Sequence, residues 1–261
     1  MPHSPKDTYI TIYGRKPVLE ALRDPSRHVA KVIVATNAEG SIVGEIEAVA
    51  RAAGVRVSHA APQRVKSIAG NGRHDQGVVA DVEAPALGTL DDLLAERSLR
   101  GDLLLLDGVH NPQNVGLILR AAAAMGLAGT VLPRVGAPDL GPLVIKASAG
   151  VAFQARVLRC RTAEEAAARL RQAGVPLYGL GAARGESLPS AALRRPAAFV
   201  VGDETVGVSP AVADRLDGWL SIPMAPGVES LNVATAVAIL GYELRRRTTI
   251  GQVSTDGPGE A

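Results

Sequence analysis

The run Leu103-Leu104-Leu105-Leu106-Asp107 is apolar without a break until its last residue. A strand with one wet face alternates apolar and polar residues, so four consecutive leucines predict a strand covered on both faces, as in a parallel sheet. Outward from it, Gly129 to Leu132, Ala155 to Leu158, Pro176 to Gly179, Ala197 to Val201 and Trp219 to Ile222 are further strand candidates. Helical patterns separate several of them, most clearly over Asn114 to Met125, Ala163 to Ala173 and Asn232 to Arg247. Strands alternating with helices predict an α/β domain with a parallel sheet over residues 101–250. After Ile250 the composition turns to Gly, Ser, Asp, Pro and Glu, which predicts a disordered tail over 251–261.

Upstream, the alternation is repeated on a smaller scale. Pro17 falls in the first turn of a helix over Lys16 to Leu22, where a missing N–H is best tolerated. Val29 to Ala35 reads as a strand, Ile42 to Ala53 as a helix and Val55 to Ser58 as a short strand. Pro62 opens a short helix through Ile68, and Gly77 to Val82 is another strand. These elements predict a small α/β domain over residues 1–84. Glu83 to Gly88 looks like a connector and Leu90 to Arg97 like a short helix, so residues 85–100 are read as a linker.

At 261 residues, with 47% apolar residues, the chain is long enough for one large domain or two ordinary ones. A net charge of +2 does not by itself announce a nucleic-acid binder. The distribution says more. No acid stands between Glu47 and Asp75, while Arg51, Arg56, Arg64, Lys66 and Arg73 accumulate there beside His59 and His74. A second cluster, Arg245-Arg246-Arg247, closes the last helix. Either group can meet phosphates or form a solvated face. The single cysteine, Cys160, excludes a disulfide framework and a cysteine zinc site, and the five histidines lack metal-ligand spacing, so no metal is expected. No apolar stretch reaches the roughly 18 residues of a membrane helix. The amino terminus has no signal-peptide core, which makes a cytoplasmic protein the expectation.

Three polar segments follow strand candidates of the second half: Asn114 to Arg120, Gly202-Asp203-Glu204-Thr205-Val206-Gly207, and Ile222 to Asn232. In an open α/β sheet, ligands gather beyond the carboxyl ends of the strands, so three such segments predict a site. Asn114 can cap its helix. Arg120, six residues on, lies roughly 120° away in azimuth, so only a neighbouring loop or a partner subunit brings both to one substrate. The glycines around Glu204 let backbone approach a ligand or adopt positive φ. Ser230 and Asn232 present short polar groups at a helix entry, where Asn232 can also serve as cap.

Together these segments resemble the three motifs of the SpoU (TrmH) family of RNA ribose 2′-O-methyltransferases. Asn114 and Arg120 match the first, Gly202, Glu204 and Gly207 the second, and Ile222-Pro223-Met224 with Ser230-Leu231-Asn232 the third. Lys146 to Gly150 also resembles a family segment. The first half is similar to the small RNA substrate-binding domain of many members, through Ile12-Tyr13-Gly14, Val18 to Leu22 and His74 to Ala80. The resemblance implies S-adenosylmethionine held by the backbones at Gly202, Ile222 and Leu231. It implies a catalytic group of Asn114, Arg120, Glu204, Ser230 and Asn232, in which family accounts often make the arginine, here Arg120, the base. Because a guanidinium stays protonated, the preferred expectation is that Arg120 clamps the phosphate beside the target ribose, with Glu204 holding the arginine. It further implies a trefoil knot in the catalytic domain, a homodimer with its site at the subunit interface, and large-subunit (23S) rRNA as substrate, with guanosine the target. The chain departs from the family at Pro226, where glycine is common, and at Thr205-Val206, where Gly-Lys is frequent. Pro226 fixes φ and removes a donor from the cofactor loop.

Other readings are a tRNA methyltransferase, an antibiotic-resistance rRNA methyltransferase and a non-catalytic RNA-binding factor. Gly179-Leu180-Gly181-Ala182-Ala183-Arg184-Gly185 superficially looks like a dinucleotide fingerprint, but its third glycine is one place late and no strong helix pattern follows.

Overall fold

The computed structural model describes residues 8–69, 75–84, 86–96, 99–181 and 185–253. Arg73 and His74 lie outside the described residues. The chain divides into two compact units, one running to Leu87 with Leu140–Pro142, the other formed by Gly88–Asp139 and the chain from Leu143 onward.

The first unit consists of β1 (Tyr9–Tyr13), α1 (Arg15–Arg23), β2 (Val29–Ala35), α2 (Ser41–Ala52), β3 (Arg56–Ala60), α3 (Pro62–Ala69) and β4 (Val78–Glu83). Its sheet runs β1-β4-β2-β3, with β4 antiparallel to both neighbours and β3 parallel to β2. Register sorts the side chains into two faces. Ile12 pairs with Ala80 and Ala80 with Val32, one buried row of a shared face. One residue along, Tyr13, Val79 and Ile33 make the opposite row, which α3 covers through the fully buried Val65. Strand β1 is absent from the periodicity reading, although its burial alternates strictly along Tyr-Ile-Thr-Ile-Tyr.

The second unit consists of β5 (Leu87–Thr89), α4 (Leu90–Ala95), β6 (Leu103–Leu106), α5 (Pro112–Met125), β7 (Gly129–Pro133), α6 (Pro142–Ala147), a 3-10 turn (Val151–Phe153), β8 (Val157–Cys160), α7 (Ala163–Gln172), β9 (Leu177–Leu180), β10 (Glu186–Ser187), β11 (Ala198–Val201), α8 (Pro210–Ala213), β12 (Gly218–Ser221) and α9 (Val233–Val253). Eight strands form one sheet in the order β10-β12-β9-β11-β6-β7-β8-β5, and the pairings from β10 to β8 are parallel. Strand β6 sits between β11 and β7 with all four leucines fully buried. Each contributes on the order of 1.5–3 kcal/mol by leaving water. The stretch read as a linker holds β5 and α4, and Leu90 and Leu93 enter the core with Leu103, Leu105 and Leu158.

Three local readings change. Helix α5 starts at Pro112 and is capped by Asn111, whose side chain accepts from the Gln113 N–H at 2.9 Å, so Asn114 is an inward-facing helical residue and not the cap. Proline at the first helical position needs no partner for a missing N–H, which is why the helix extends upstream. Helix α9 continues through Val253, so residues 251–253 are helical and the rest of the expected tail lies outside the described residues. Arg246 and Arg247 are engaged within this unit: both bind the buried Glu243, at 2.7–2.8 Å, and Arg247 also donates to the Ala191 carbonyl at 2.7 Å.

Two glycines mark close approaches. A Cβ at Gly116 of α5 would lie 2.5 Å from the Val144 carbonyl oxygen and 2.6 Å from the Ala147 Cβ. The segment Lys146 to Gly150 is thus docked on the first motif. Within it Ser148 is fully buried, donating to the Ile145 carbonyl at 2.9 Å and accepting from the Ala152 N–H at 3.2 Å. In the apparent dinucleotide fingerprint, Gly179 faces Leu216 and Trp219, and Gly185 abuts the Trp219 carbonyl. Those two glycines serve packing.

Candidate active site

The adjacent parallel strands β12, β9 and β11 end at Ser221, Leu180 and Val201. The residues just past those ends, Ile222, Gly181 and Gly202, line one cavity of about 300 Å³. Leu180, Val201, Met224, Leu231 and Val233 supply apolar wall, while Asp203, Glu204 and Ser230 supply polar groups. The volume lies at the small end of ligand sites. Gly202, Ile222 and Leu231, the cofactor residues implied by the resemblance, are therefore on one cavity.

The second motif is a tight hairpin. Asp203 and Gly207 exchange both backbone hydrogen bonds, at 3.1 and 2.9 Å, with Gly207 at φ 77°. The Asp203 carboxylate accepts from the Thr205 and Val206 N–H groups at 2.8 and 3.1 Å, and these bonds hold its pKa below the usual carboxylate value. A Cβ on Gly202 would fall 2.0 Å from the Gly207 carbonyl carbon, so the glycine is demanded by closure of the hairpin. Glu204 stands exposed at its tip.

In the third motif the Ala225 carbonyl accepts from the Val228 N–H at 3.2 Å, with Gly227 at φ 85° between them. Proline second and a left-handed glycine third are the signature of a type II turn. Pro226 thus supplies a φ the turn requires, and it does not line the cavity. Two residues past Ser230, Asn232 caps α9, its Oδ1 accepting from the Ala234 and Thr235 N–H groups at 2.9 and 3.4 Å.

The three motifs are joined by side chains. Asn114 is 7% exposed. Its Nδ2 donates to Glu204 Oε1, and its Oδ1 accepts from Asn232 Nδ2 at 3.1 Å. One amide therefore ties the hairpin tip to the entry of α9 across residues 90 and 118 positions away. Ser230 is exposed on the cavity wall. Arg120 is not brought to this group. It is exposed on α5, three residues from the exposed Leu117, and has no ion-pair partner among the described residues. Within this chain Glu204 is engaged by Asn114. Of the basic candidates in the first unit, Arg51, Arg56, Arg64 and Lys66 are exposed, on α2, β3 and α3. Among the described residues no cluster of His, Cys, Asp and Glu is suited to a metal, and no helix is long and apolar enough to cross a membrane.

Residues 102–242 match the SpoU rRNA Methylase family, and residues 11–87 match the RNA 2′-O ribose methyltransferase substrate binding family. The chain belongs to the SpoU rRNA methylase family. It is an RNA ribose 2′-O-methyltransferase that uses S-adenosylmethionine. A 23S rRNA (guanosine-2′-O-)-methyltransferase of Xanthomonas axonopodis pv. citri is 32% identical over 90% of this chain and 96% of its own length. A TrmH-family protein of Porphyromonas gingivalis superposes with a TM-score of 0.63 at 31% identity, covering 93% of this chain and 91% of that one. The SpoU methyltransferase AviRb of Streptomyces viridochromogenes, solved with S-adenosylmethionine, gives 0.63 at 25% identity, covering 93% and 92%.

The cavity of this SpoU methylase has the chemistry for that cofactor. Apolar walls suit an adenine ring, backbone groups at the strand ends suit its polar edges, and the charged side chains of the lining are the two acids Asp203 and Glu204, which suit a sulfonium cation. Asp203, Gly116 and Gly181 had no assigned role in the sequence. Asp203 could have been found as an acid two residues before a threonine N–H, the pattern of an Asx turn. Gly181 stood in a glycine run discounted as a fingerprint, yet its place just after a strand is what puts it on the cavity.

Proposed function

We propose that this SpoU methylase modifies the 2′-hydroxyl of a guanosine in large-subunit ribosomal RNA, working in the cytoplasm as a homodimer whose catalytic domain, residues 101–250, is knotted. The observation that carries the site is the Glu204–Asn114–Asn232 chain beside the cavity of Gly202, Ile222 and Leu231. The relative from Xanthomonas bears a name for the same nucleotide and RNA, and aligns along nearly its whole length.

Bound S-adenosylmethionine supplies an electrophilic methyl group. The chain's contribution is position: aligning the 2′-oxygen with that methyl contributes on the order of 7–11 kcal/mol. Gly202, Ile222 and Leu231 would hold the cofactor by their backbones. Asn114 fixes the two loops relative to each other, and Ser230 and Asn232 set the edge where the ribose enters. Arg120 clamps the adjacent phosphate and stabilises charge as the hydroxyl passes its proton to water; a guanidinium stays protonated and suits that role better than a base. Because Arg120 is exposed on α5 and outside the lining of this chain's own cavity, it would serve the site of the second subunit. The dimer face runs along α5 and α9, which pack on each other and expose Leu117, Ile239 and Tyr242.

The test is methyl transfer from radiolabelled S-adenosylmethionine to separate pools of large-subunit rRNA, small-subunit rRNA and tRNA. Label confined to large-subunit rRNA, mapped to a guanosine and lost in Arg120→Ala, is the expected result. Label in tRNA overturns the substrate, and no label in any pool, ribosomal subunits included, overturns the reaction.

A further inference from the structure

The three consecutive arginines of α9 part company in the fold. Arg246 and Arg247 bind Glu243, while Arg245 makes no ion pair or side-chain hydrogen bond among the described residues. It lines a second cavity, of about 340 Å³, with Arg100, Asp102, Met125, Arg195 and Thr248. Asp102 directly precedes β6, and Arg195 stands just before β11. These strands are parallel neighbours, so the cavity opens at their amino ends, whereas the cofactor cavity lies past the carboxyl end of β11. At about 3.3 Å per residue, the four residues of β11 alone put roughly 13 Å between the two. On α9 the lining begins at Leu244, past Ile239 and Tyr242 of the face proposed for the dimer.

The charges of this lining do not cancel. Asp102 is 3% exposed and already engaged: its Oδ1 accepts the Ala197 N–H at 3.0 Å, and its Oδ2 accepts from Arg195 Nε at 2.7 Å and from Arg195 Nη2. Arg195 Nη1 donates to the Leu244 carbonyl at 3.3 Å and to Thr248 Oγ1 at 3.2 Å, which locks this arginine into the wall. The pair is neutral and leaves two cations over, Arg100 and Arg245, both exposed. Arg100 likewise has no ion pair among the described residues. Nor is Arg245 needed to close the helix it overhangs. Its Nη1 lies over Gly126, 3.3 Å from where a Cβ would stand. Yet α5 ends on its own backbone, the Gly126 N–H donating to the Ala123 carbonyl at 3.1 Å and the Leu127 N–H to the Ala122 carbonyl at 3.0 Å. Two guanidiniums beside a fixed third, with the one acid of the lining already bound, fit an anion rich in acceptor oxygens and oppose a metal ion. Phosphate is that anion, since the forked N–H groups of arginine match its geometry.

We propose that this cleft binds backbone phosphate of the substrate RNA through Arg100 and Arg245, at the end of the sheet opposite the methyl-transfer site. The proposal rests on the enzyme acting on RNA. It gives the second unit a hold on RNA away from its chemistry, so that the bound RNA reaches past both ends of the sheet.

The experiment measures binding of large-subunit rRNA to the full-length chain across a salt series, for the wild type, for Arg100→Ala with Arg245→Ala, and for Arg161→Ala with Arg169→Ala. The last pair removes the same charge from exposed positions elsewhere on this unit, where Arg161 pairs with Glu165 and Arg169 with Asp91. Each phosphate contact contributes about 0.7–0.9 to the slope of log K against log salt, so the cleft variant should lose roughly 1.4–1.8 of slope and bind roughly 10–30-fold more weakly at about 0.15 M salt. The control should keep the wild-type slope. A cleft variant with the wild-type slope, or a control that loses as much, overturns the proposal. Calorimetry with inorganic pyrophosphate tests the other source of phosphate. Pyrophosphate bound by the wild type and lost in the cleft variant, with an unchanged RNA slope, would mark a site for a small phosphorylated molecule and overturn the RNA assignment. Methyl transfer on the same samples should show the loss in KM alone; a lower rate at saturating RNA overturns a role confined to binding. Labelled rRNA without a slope change removes this contact and leaves the enzyme's function. A slope change without labelled rRNA retains the contact and removes the proposed reaction.

Discussion

Replacing Asn114 with aspartate changes one group at the centre of the site and leaves its shape. The acceptor facing Asn232 Nδ2 at 3.1 Å is kept, and the donor to Glu204 is lost. A hydrogen bond to a charged group contributes about 1.5–3 kcal/mol. In its place two carboxylates would meet, and at a separation of about 4 Å and an effective dielectric of about 20 they repel by about 4 kcal/mol. Glu204 is exposed at a hairpin tip, so it can swing outward and relieve that repulsion. The stability loss is therefore limited to the lost bond, a fall in melting temperature of roughly 3–12 °C. The displaced tip moves the cavity wall, and a misplacement of about 1 Å costs on the order of 10²-fold in transfer rate. Single-turnover methyl transfer, cofactor binding by calorimetry and a thermal scan measure the three quantities. Acid gives an internal control. Below about pH 5 the introduced carboxyl gains an O–H that can donate to Glu204 again, so the deficit relative to wild type narrows as pH falls. Wild-type transfer and cofactor affinity in this variant would refute a positioning role for the Glu204–Asn114–Asn232 chain.

Arg120→Ala should leave the melting temperature within about 2 °C, because the side chain is exposed and has no ion pair among the described residues, yet lower transfer on the order of 10²–10³-fold. A pH–rate step near neutrality that disappears in this variant would count for a base and against the clamp. Gly116→Ala should lower stability by about 1–3 kcal/mol in a denaturant titration, since its methyl would enter the space of the Val144 carbonyl and Ala147; an unchanged midpoint would mean α6 is not docked there. Glu243 is held at a pKa of about 2, first by its hydrogen bond from Arg246 and then by that from Arg247. A depressed carboxylate stabilises the fold above its ordinary value of 4.5 and loses that contribution as pH falls toward 2. Glu243→Gln should flatten stability over that window, which acid titration followed by circular dichroism would reveal. Pro226→Gly should change cofactor affinity by no more than about threefold, since the proline sits in an exposed turn outside the cavity.

What could be read from the sequence, and what could not, divides along a physical line. Buried parallel strands announce themselves because both faces must be apolar, so Leu103 to Leu106 and Ala198 to Val201 stand out without any knowledge of their neighbours. Strand β1 is nearly invisible, since Tyr9, Thr11 and Tyr13 carry polar groups and only Ile10 and Ile12 are fully buried. The cap of α5 was misplaced because two asparagines lie three positions apart, and the intervening proline, not the nearer asparagine, decides where the helix begins. The site shows the same limit more sharply. Periodicity can say that Asn114 and Arg120 point in different directions, and they do. It cannot say that Asn114 turns toward Glu204 and Asn232, because those partners are 90 and 118 residues away and their approach depends on the order in which β12, β9 and β11 lie in the sheet. Nor can it separate Gly202, required by hairpin closure, from Gly179, required by Trp219, or recognise that Arg246 and Arg247 are bound to Glu243 while Arg245 faces an open cleft. A basic residue in sequence is only a charge. What it can bind is settled by whether the fold has already given it a partner.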